Sequence, residues 1–445
     1  MTRPSYPFDV RSRDVWRIAV PASLAFITEP MVGIVDITVI GRLGDAALLG
    51  GLALGALAFD FIFSLAYFLR LGTAGLTAQA VGSRDPNDGL LHAVRALLLA
   101  AGIGLVMIAL SLPLFGIAEL IWAPSAEVAS PFATYFYIRI WAAPFSLINY
   151  VMLGWFYGRA EARTGMSLQF VIHGINIVAS IVLVFGLGWG VAGAALGTVL
   201  GSATAAIIGL ILFFRHFGGL KRTLSLIVPE ELRHTTALKR MFALSRDLMI
   251  RSAALMSAYA IFAAVGSRAG DDVLAANAVL LNLMMISSFF LDGLAQASEQ
   301  LCGKAVGANW RPAFERASRL ALACGIVLSA ALAALLYFAG PSIISLMTTS
   351  APVRGEATQF LWLAALTAFS GMPAFVYDGI LTGATLNVDM RNGMLVSLAV
   401  FIAAALALAP FGNLGLWAAL HIWLLSRGAI YWWALERRKP ALFVA

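Results

Sequence analysis

Charged residues are scarce in this chain, and their scarcity is the first indication of its environment. Of the 445 residues only 12% are Asp, Glu, Lys or Arg, whereas 61% are hydrophobic, and the mean hydropathy is +0.88. A soluble domain is about one quarter charged, so this composition excludes an ordinary soluble fold. It predicts an integral membrane protein.

Cysteine is nearly absent too, because Cys302 and Cys324 are the only two. Their spacing matches neither a disulfide framework nor a metal site, so we interpret both as packing residues. The N-terminus lacks the short apolar core and cleavage motif of a signal peptide, and the apolar run that follows is too long for one. We therefore expect the first apolar segment to remain in the protein.

Catalytic and channel signatures are missing as well. The five histidines are scattered, and neither a Gly-x-Ser-x-Gly elbow nor a His-Glu-x-x-His motif occurs, which argues against an enzyme. A filter-like loop, which an ion channel would need, is not found either. The sequence therefore predicts no catalytic residue, no bound metal and no cofactor.

What the chain does contain is twelve apolar stretches long enough to cross a bilayer as helices. The only long polar interruption is residues 215–240. We therefore expect an N-terminal six-helix bundle at 1–214, a cytoplasmic linker at 215–240 and a C-terminal six-helix bundle at 241–445. The approximate limits of the spans are 15–41, 46–80, 90–115, 130–158, 164–186, 190–214, 241–265, 273–303, 314–339, 354–381, 392–411 and 414–434.

The basic residues indicate the orientation of these spans. Of the 30 lysines and arginines, only Arg42, Arg268 and Arg354 fall in loops on the side opposite the N-terminus. The positive-inside rule then places both termini in the cytoplasm, as in a multi-pass protein of a bacterial inner membrane. The net charge of +7 follows from this topology and from contact with anionic membrane lipids, and it requires no nucleic acid.

The two halves of the chain also resemble each other. Four glycine positions recur at a constant separation of 225 residues, which indicates an internal duplication. Because each copy has an even number of spans, we expect all-α bundles related by a pseudo-two-fold axis along the membrane normal, the architecture of an alternating-access transporter. The matched pairs are Gly41 and Gly266, Gly82 and Gly307, Gly154 and Gly379, and Gly158 and Gly383.

Polar residues inside the first bundle are the candidates for function. Asp36 stands in the apolar run GIVDITVIG, where an aspartate costs roughly 2.5 to 3.5 kcal/mol and is functional by default. Glu29, seven residues earlier, shares its helix face. Residues of the fourth to sixth spans are interpreted as substrate ligands in a water-filled chamber open to the outside, although amides and hydroxyls also bridge helices. They are Asn149, His173, Asn176, Ser180 and Thr198.

Prolines and other intramembrane charges are interpreted as structural or gating residues. Pro21 and Pro30 are expected to interrupt the first helix, so that protonation of Asp36 could shift a balance between straight and bent forms; a static kink is the alternative. The spans are expected to offer only Arg70 and Arg139 as arginines, paired with buried acids. Asp292 and Glu299 are possible partners, and Asp378 is expected to make a helix-terminus or gate contact.

Five stretches resemble the MATE multidrug and toxin extrusion family, and within it the DinF-like branch: 30–44 (PMVGIVDITVIGRLG), 75–82 (GLTAQAVG), 244–252 (LSRDLMIRS), 281–308 and 377–394. The resemblance covers essentially the whole chain. It implies a monomeric secondary transporter that exports cationic, amphiphilic drugs or toxins against inward H⁺ or Na⁺. H⁺ is the usual ion in this branch, and Asp36 matches the first-helix aspartate tied to coupling.

Two positions depart from the family pattern. The fifth helix of relatives often carries Asn-x-x-x-Asp, whereas Ser180 stands here in place of the acid, and Glu29 stands where relatives tend to have an amide. Asp36 is therefore expected to act with Glu29 or Asp60 as a second carboxylate, since two nearby carboxylates can share a proton. A Na⁺-coupled antiporter and a flippase of lipid-linked precursors remain the alternatives.

Overall fold

The computed structural model describes residues 4–227, 229–232 and 235–443, and this part is helical almost throughout, with no strand. A π-helical turn covers Val182–Gly186, and 3-10 turns cover Ile140–Ala142, Ser267–Ala269 and Ala409–Phe411. The α-helices are α1 (Ser12–Gly41), α2 (Ala46–Ala66), α3 (Phe68–Ser83), α4 (Pro86–Ala109), α5 (Ser111–Trp122), α6 (Ala126–Arg139), α7 (Ala143–Gly158), α8 (Ala162–Ile181), α9 (Gly190–His216), α10 (Leu220–Leu226), α11 (Pro229–Leu232), α12 (Thr235–Gly266), α13 (Asp271–Gly307), α14 (Arg311–Met347), α15 (Ala351–Gly383), α16 (Asn387–Ala407) and α17 (Gly412–Leu442).

The predicted all-α membrane fold is confirmed. Eleven helical segments of the described chain are long and apolar enough to cross a membrane, and each falls on a predicted span. The twelfth predicted span corresponds to α17. Two spans consist of two helices each, α2 with α3 and α6 with α7, and the short apolar helix α5 was not predicted.

Helix starts in the first half follow ordinary capping chemistry. The Asp45 side chain accepts hydrogen bonds from the backbone N–H groups of Ala47 and Leu48 at 2.8 and 3.3 Å, which satisfies two donors at the start of α2. Asp85 caps α4 in the same way, and Pro86 follows it at the first helical position. Both aspartates are therefore explained by helix capping and are not candidates for transport.

The chain forms two compact units. One comprises Met1–Ser23, Ala78–Arg84 and Phe242–Ala445, and the other comprises Leu24–Thr77 and Asp85–Met241. Residues of α1 and of α3 therefore occur in both units. The predicted limits at 214 and 241 stay a prediction.

The duplication recurs in the way the helices pack within each unit. Gly154 on α7 lies so close to the carbonyl oxygen of Arg70 on α3 that a Cβ would collide with it. A Cβ on Gly379 of α15 would likewise collide with the carbonyl oxygen of Ala295 on α13. The glycine and the residue whose carbonyl it meets thus both recur after 225 residues, and the same glycine-mediated helix crossing occurs twice. A second matched crossing joins Gly158 to Ala74 and Gly383 to Glu299.

A further pair of glycine contacts is reciprocal. Gly82 at the end of α3 packs against the carbonyl oxygen of Lys304, and Gly307 at the end of α13 packs against that of Gln79. Gly82 and Gly307 are 225 positions apart, and so are Gln79 and Lys304. The two contacts are therefore equivalent, as at an isologous contact around a two-fold axis. Gln79 Nε2 also donates to the carbonyl oxygen of Gly383 at 2.8 Å. The two repeats are therefore in contact through equivalent residues at this point.

Candidate functional site

Asp36 lies on α1 and is 5% exposed. Its Oδ1 atom is buried and has no hydrogen-bond partner among the described residues. The polar groups that act on this carboxylate are the Ser180 hydroxyl on α8 and the guanidinium of Arg139 on α6. A buried carboxylate without an ion pair is costly to keep ionised, so it is a chemically reasonable place for a proton to bind.

Three of the predicted substrate ligands form one hydrogen-bonded row beside Asp36. Asn176 Nδ2 donates to Thr198 Oγ1 at 2.9 Å, and Ser180 Oγ donates to Asn176 Oδ1 at 3.3 Å. Gly197 on α9 makes this possible, because a Cβ there would lie 2.6 Å from Ser180 Oγ. The row therefore joins α8 to α9.

The other two predicted ligands lie apart from this row. Asn149 on α7 is buried and donates through Nδ2 to the carbonyl oxygen of Ser202 at 2.8 Å, while its Oδ1 has no donor in the described chain. His173 is half-buried, and its Nε2 is likewise without a partner there. Both retain an unused polar atom, and their role as substrate ligands stays a prediction.

Glu29 and Asp60 form a second acidic group. Both side chains keep an exposed surface. The negative charge of Asp60 and the positive charge of Arg70 both act on Glu29. The positive charge of Arg139 acts on the carboxylate of Asp60 as well as on that of Asp36. This guanidinium therefore influences both acidic groups.

The arginines of the first half stack on aromatic rings. The Arg70 guanidinium lies 4.5 Å from the ring centre of Phe26 and 5.3 Å from that of Tyr157, and it donates to the Tyr67 hydroxyl. Such cation–π contacts stabilise a desolvated guanidinium by roughly 2 kcal/mol. Pairing of Arg70 with Asp292 or Glu299 stays a prediction.

Arg139 makes no direct ion pair in the described chain, although its charge acts on Asp36 and Asp60. Arg139 donates to the Tyr135 hydroxyl at 2.6 Å and lies 5.0 Å from the ring centre of Phe59. The tyrosine replaces the expected acid because it stands one helical turn before the arginine. This i, i+4 spacing, and the i, i+3 spacing of Tyr67 and Arg70, were the sequence signals that could have identified both tyrosines.

In the second half, intramembrane acids form ion pairs with arginines. Asp378 on α15 is buried and accepts from Arg251 at 2.6 Å and from Arg427 at 3.3 Å. Asp247 accepts from Arg391 at 2.7 Å. The expectation that only Arg70 and Arg139 lie within spans is therefore wrong, because Arg251 and Arg427 lie inside α12 and α17. Both positions also fall inside the predicted spans 241–265 and 414–434.

The remaining predicted residues lie on long helices. Glu299 accepts from Gln296 Nε2 at 3.0 Å and is buried, and Asp292 is half-buried. The helix α1 continues through Pro21 and Pro30, and their role as bending or gating residues stays a prediction. Membrane helices tolerate proline when the freed backbone groups find other partners. Each proline still removes one hydrogen bond from the helix.

Comparisons with known proteins agree over most of the chain. The family model described as MatE matches residues 21–182 and 248–412. The chain is 36% identical over 426 residues to DNA damage-inducible protein F of Escherichia coli (strain K12), covering 93% of this chain and 90% of that protein. It is 20% identical over 409 residues to multidrug export protein MepA of Staphylococcus aureus (strain NCTC 8325 / PS 47), covering 90% and 88%.

Solved structures share the fold. A crystal structure of MATE in the straight conformation superposes with a TM-score of 0.87 at 20% identity, and one of MATE in the bent conformation superposes with a TM-score of 0.86 at 19% identity. Each covers 97% of this chain and 96% of its own. At these identities the likeness shows a common fold and carries no residue roles.

Proposed function

Because this chain belongs to the MatE family, whose members are membrane transporters and not enzymes, we propose that it exports cationic, amphiphilic compounds in exchange for protons, with Asp36 as the coupling carboxylate. Family membership already makes it a multi-pass multidrug efflux transporter of small molecules. The proposal adds the ion, the residue and the class of compound.

The observation that carries the proposal is the setting of Asp36. It is buried, one of its oxygens has no hydrogen-bond partner in the described chain, and no ion pair holds it there. Protonation would remove a costly buried charge without breaking an ion pair. Release of that proton when a cationic compound binds nearby would keep the local charge balanced, as antiport requires.

The residues proposed to line the substrate chamber suit cationic, aromatic compounds. Glu29 and Asp60 supply negative charge with exposed surface, and Tyr67 and Tyr150 supply aromatic rings packed edge to face at 5.6 Å. Rings bind organic cations through their faces, and nearby carboxylates add charge attraction. Hydrogen bonds from unused polar atoms of Asn149 and His173 would add selectivity.

Bending of α1 would couple the proton to a change in shape. Pro30 lies two turns before Asp36 and has already removed one helical hydrogen bond. Related proteins of the same fold have been crystallised as MATE in the bent conformation and as MATE in the straight conformation. We extend that pair of conformations to this chain, with both termini in the cytoplasm, an inner-membrane location and a monomer as the working unit.

Coupling to H⁺ and coupling to Na⁺ predict different outcomes in one transport assay. The purified protein is reconstituted in proteoliposomes with an acidic interior, and tetraphenylphosphonium is added in the presence or absence of Na⁺. The proposal predicts drug-dependent dissipation of ΔpH without Na⁺, lost in Asp36→Asn and retained in Asp45→Asn, whose native side chain only caps α2. Dissipation that requires Na⁺, or wild-type activity of Asp36→Asn, would contradict it.

The flippase alternative needs free cations to hold a pyrophosphate. The second half does place Arg251 and Arg427 within the membrane segment, but both are engaged by Asp378. This arrangement favours the exporter, because a cation that already pairs with an acid is a poor ligand for a second anion.

A further inference from the structure

A cavity of about 380 Å³ lies among the ends of α12, α16 and α17. Its walls are mostly apolar side chains from these three helices, including Ile261, Val265, Ile402, Leu406 and Leu416. The guanidinium-bearing residue Arg268, in the turn that follows α12, also lines it. The cavity therefore combines a hydrocarbon surface with one cation.

Small residues create the space. Gly266, Ala269, Ala405, Ala409 and Gly412 all line the cavity, at positions where larger side chains would fill it. Gly412 has a φ of +58° at the turn into α17, a conformation that favours glycine. A pocket this large and this apolar does not retain ordered water well, so hydrocarbon is its natural occupant.

The polar groups at the cavity are hydrogen-bond donors. Arg268 is exposed and makes no ion pair or hydrogen bond to any described residue. Asn413 borders the cavity with a buried Nδ2 that lacks an acceptor there. Its Oδ1 is occupied by Asn277 at 2.8 Å, and Asn277 in turn accepts from Trp417 at 2.9 Å, so the amide orientation is fixed. The occupant should therefore carry acceptors.

The position in the membrane identifies the occupant further. Arg268 stands in the turn between two spanning helices, on the face predicted to lie opposite the termini, while Val265 and Ile261 lie about one and two turns deeper along α12. A phospholipid has its phosphate at the depth of such a turn and its acyl chains below it. We propose that this cavity is a binding site for one glycerophospholipid of that leaflet, with the phosphate on Arg268 and an acyl chain along α12 and α16.

A groove in the first half serves as an internal comparison. It has a volume of about 600 Å³ between α8 and α9 and is lined by Phe170, Val178, Val182, Leu183 and Leu200 among others, with no charged residue. Hydrocarbon can fill that groove without selection for a headgroup. Selective retention of an anionic lipid is therefore expected only at the Arg268 cavity.

Native mass spectrometry of the full-length protein, titrated with palmitoyl-oleoyl-phosphatidylglycerol, tests the headgroup contact. We expect one retained lipid in the wild type and a roughly fivefold loss of apparent affinity in Arg268→Gln, since one cation near the membrane surface contributes about 1 kcal/mol. Arg42→Gln is the matched control, an exposed arginine on the same predicted face that lines neither cavity. Equal loss in both variants, or none in Arg268→Gln, would overturn the proposal.

Photo-crosslinking of the wild type tests the acyl chain without any substitution. A phosphatidylglycerol with a diazirine in its acyl chain should label α12 or α16 at the cavity, near Ile261 or Ile402, and excess unlabelled lipid should compete. Competition by inorganic phosphate alone, or labelling confined to the groove between α8 and α9, would overturn the assignment. Ala405→Trp, which fills the cavity, should abolish labelling there and leave labelling of the other groove intact.

Discussion

The two halves of this transporter share one scaffold and use their buried charges in opposite ways. In the first half, Arg139 stacks on an aromatic ring and bonds to a tyrosine, and Asp36 has no ion pair among the described residues. In the second half, Asp378 is held by two arginines. A buried acid thus lacks an ion pair in the described part of the first half, whereas a buried acid of the second half is held by two arginines.

This difference has an energetic consequence. Removing one partner of a buried ion pair costs about 3 to 5 kcal/mol, because the remaining charge is left uncompensated. Neutralising a buried carboxylate that has no ion pair removes a desolvation cost instead. Loss of the Asp378 charge should therefore destabilise the second half, whereas loss of the Asp36 charge should leave the first half folded.

The largest effect is expected for Asp378→Asn. The substitution leaves Arg251 and Arg427 buried without their shared acid, so thermal unfolding in detergent should show a loss of about 3 to 5 kcal/mol. Asp389→Asn is the matched control, because its ion pair with Arg438 is partly exposed and should contribute at most about 1 kcal/mol. Equal melting temperatures for the two variants would remove the contrast between the halves.

A smaller effect is expected for the second acidic group. Glu29→Gln and Asp60→Asn should each fold normally and lower the rate of tetraphenylphosphonium efflux by roughly fivefold or more, the size of a typical coupling between sites. Their melting temperatures should match that of the wild type, since neither acid forms an ion pair in the described chain. Full efflux in both variants would show that Asp36 needs no second carboxylate.

The smallest effect is expected for Thr198→Val. Asn176 Nδ2 would lose its acceptor at 2.9 Å, which should lower stability by about 1 kcal/mol. Thr204→Val is a suitable control, because the Thr204 hydroxyl bonds only to the carbonyl oxygen of Leu200 in its own helix. If the two variants melt alike, the row from Ser180 to Thr198 does not stabilise the packing of α8 on α9.

The sequence predicted the spans well and the charge contacts poorly. Apolar length and the 225-residue glycine repeat are local or regular signals, and they predicted the helices and the duplication that recurs in the crossings at Gly154 and Gly379. The pairing of Arg251 with Asp378 joins residues 127 positions apart, and no local pattern indicates it. The pairing of Arg427 with Asp378 joins residues 49 positions apart, and no local pattern indicates it either.

In the first-half site, too, one contact followed from the sequence and another did not. Asn176 and Ser180 were predicted as substrate ligands of one chamber, and they form one hydrogen-bonded row. Arg139 was expected to find an acid, whereas a tyrosine one turn away along its own helix occupies it. Which of several polar side chains an arginine meets depends on helix rotation, and hydropathy does not specify that rotation.

The most direct test of the central claim is a count of protons. Purified wild-type protein in weakly buffered detergent near neutral pH should release protons when tetraphenylphosphonium is added, as followed with a pH-sensitive dye. Asp36→Asn should bind the same compound, measured by calorimetry, and release none. Proton release by Asp36→Asn equal to that of the wild type would contradict the assignment of Asp36 as the coupling carboxylate.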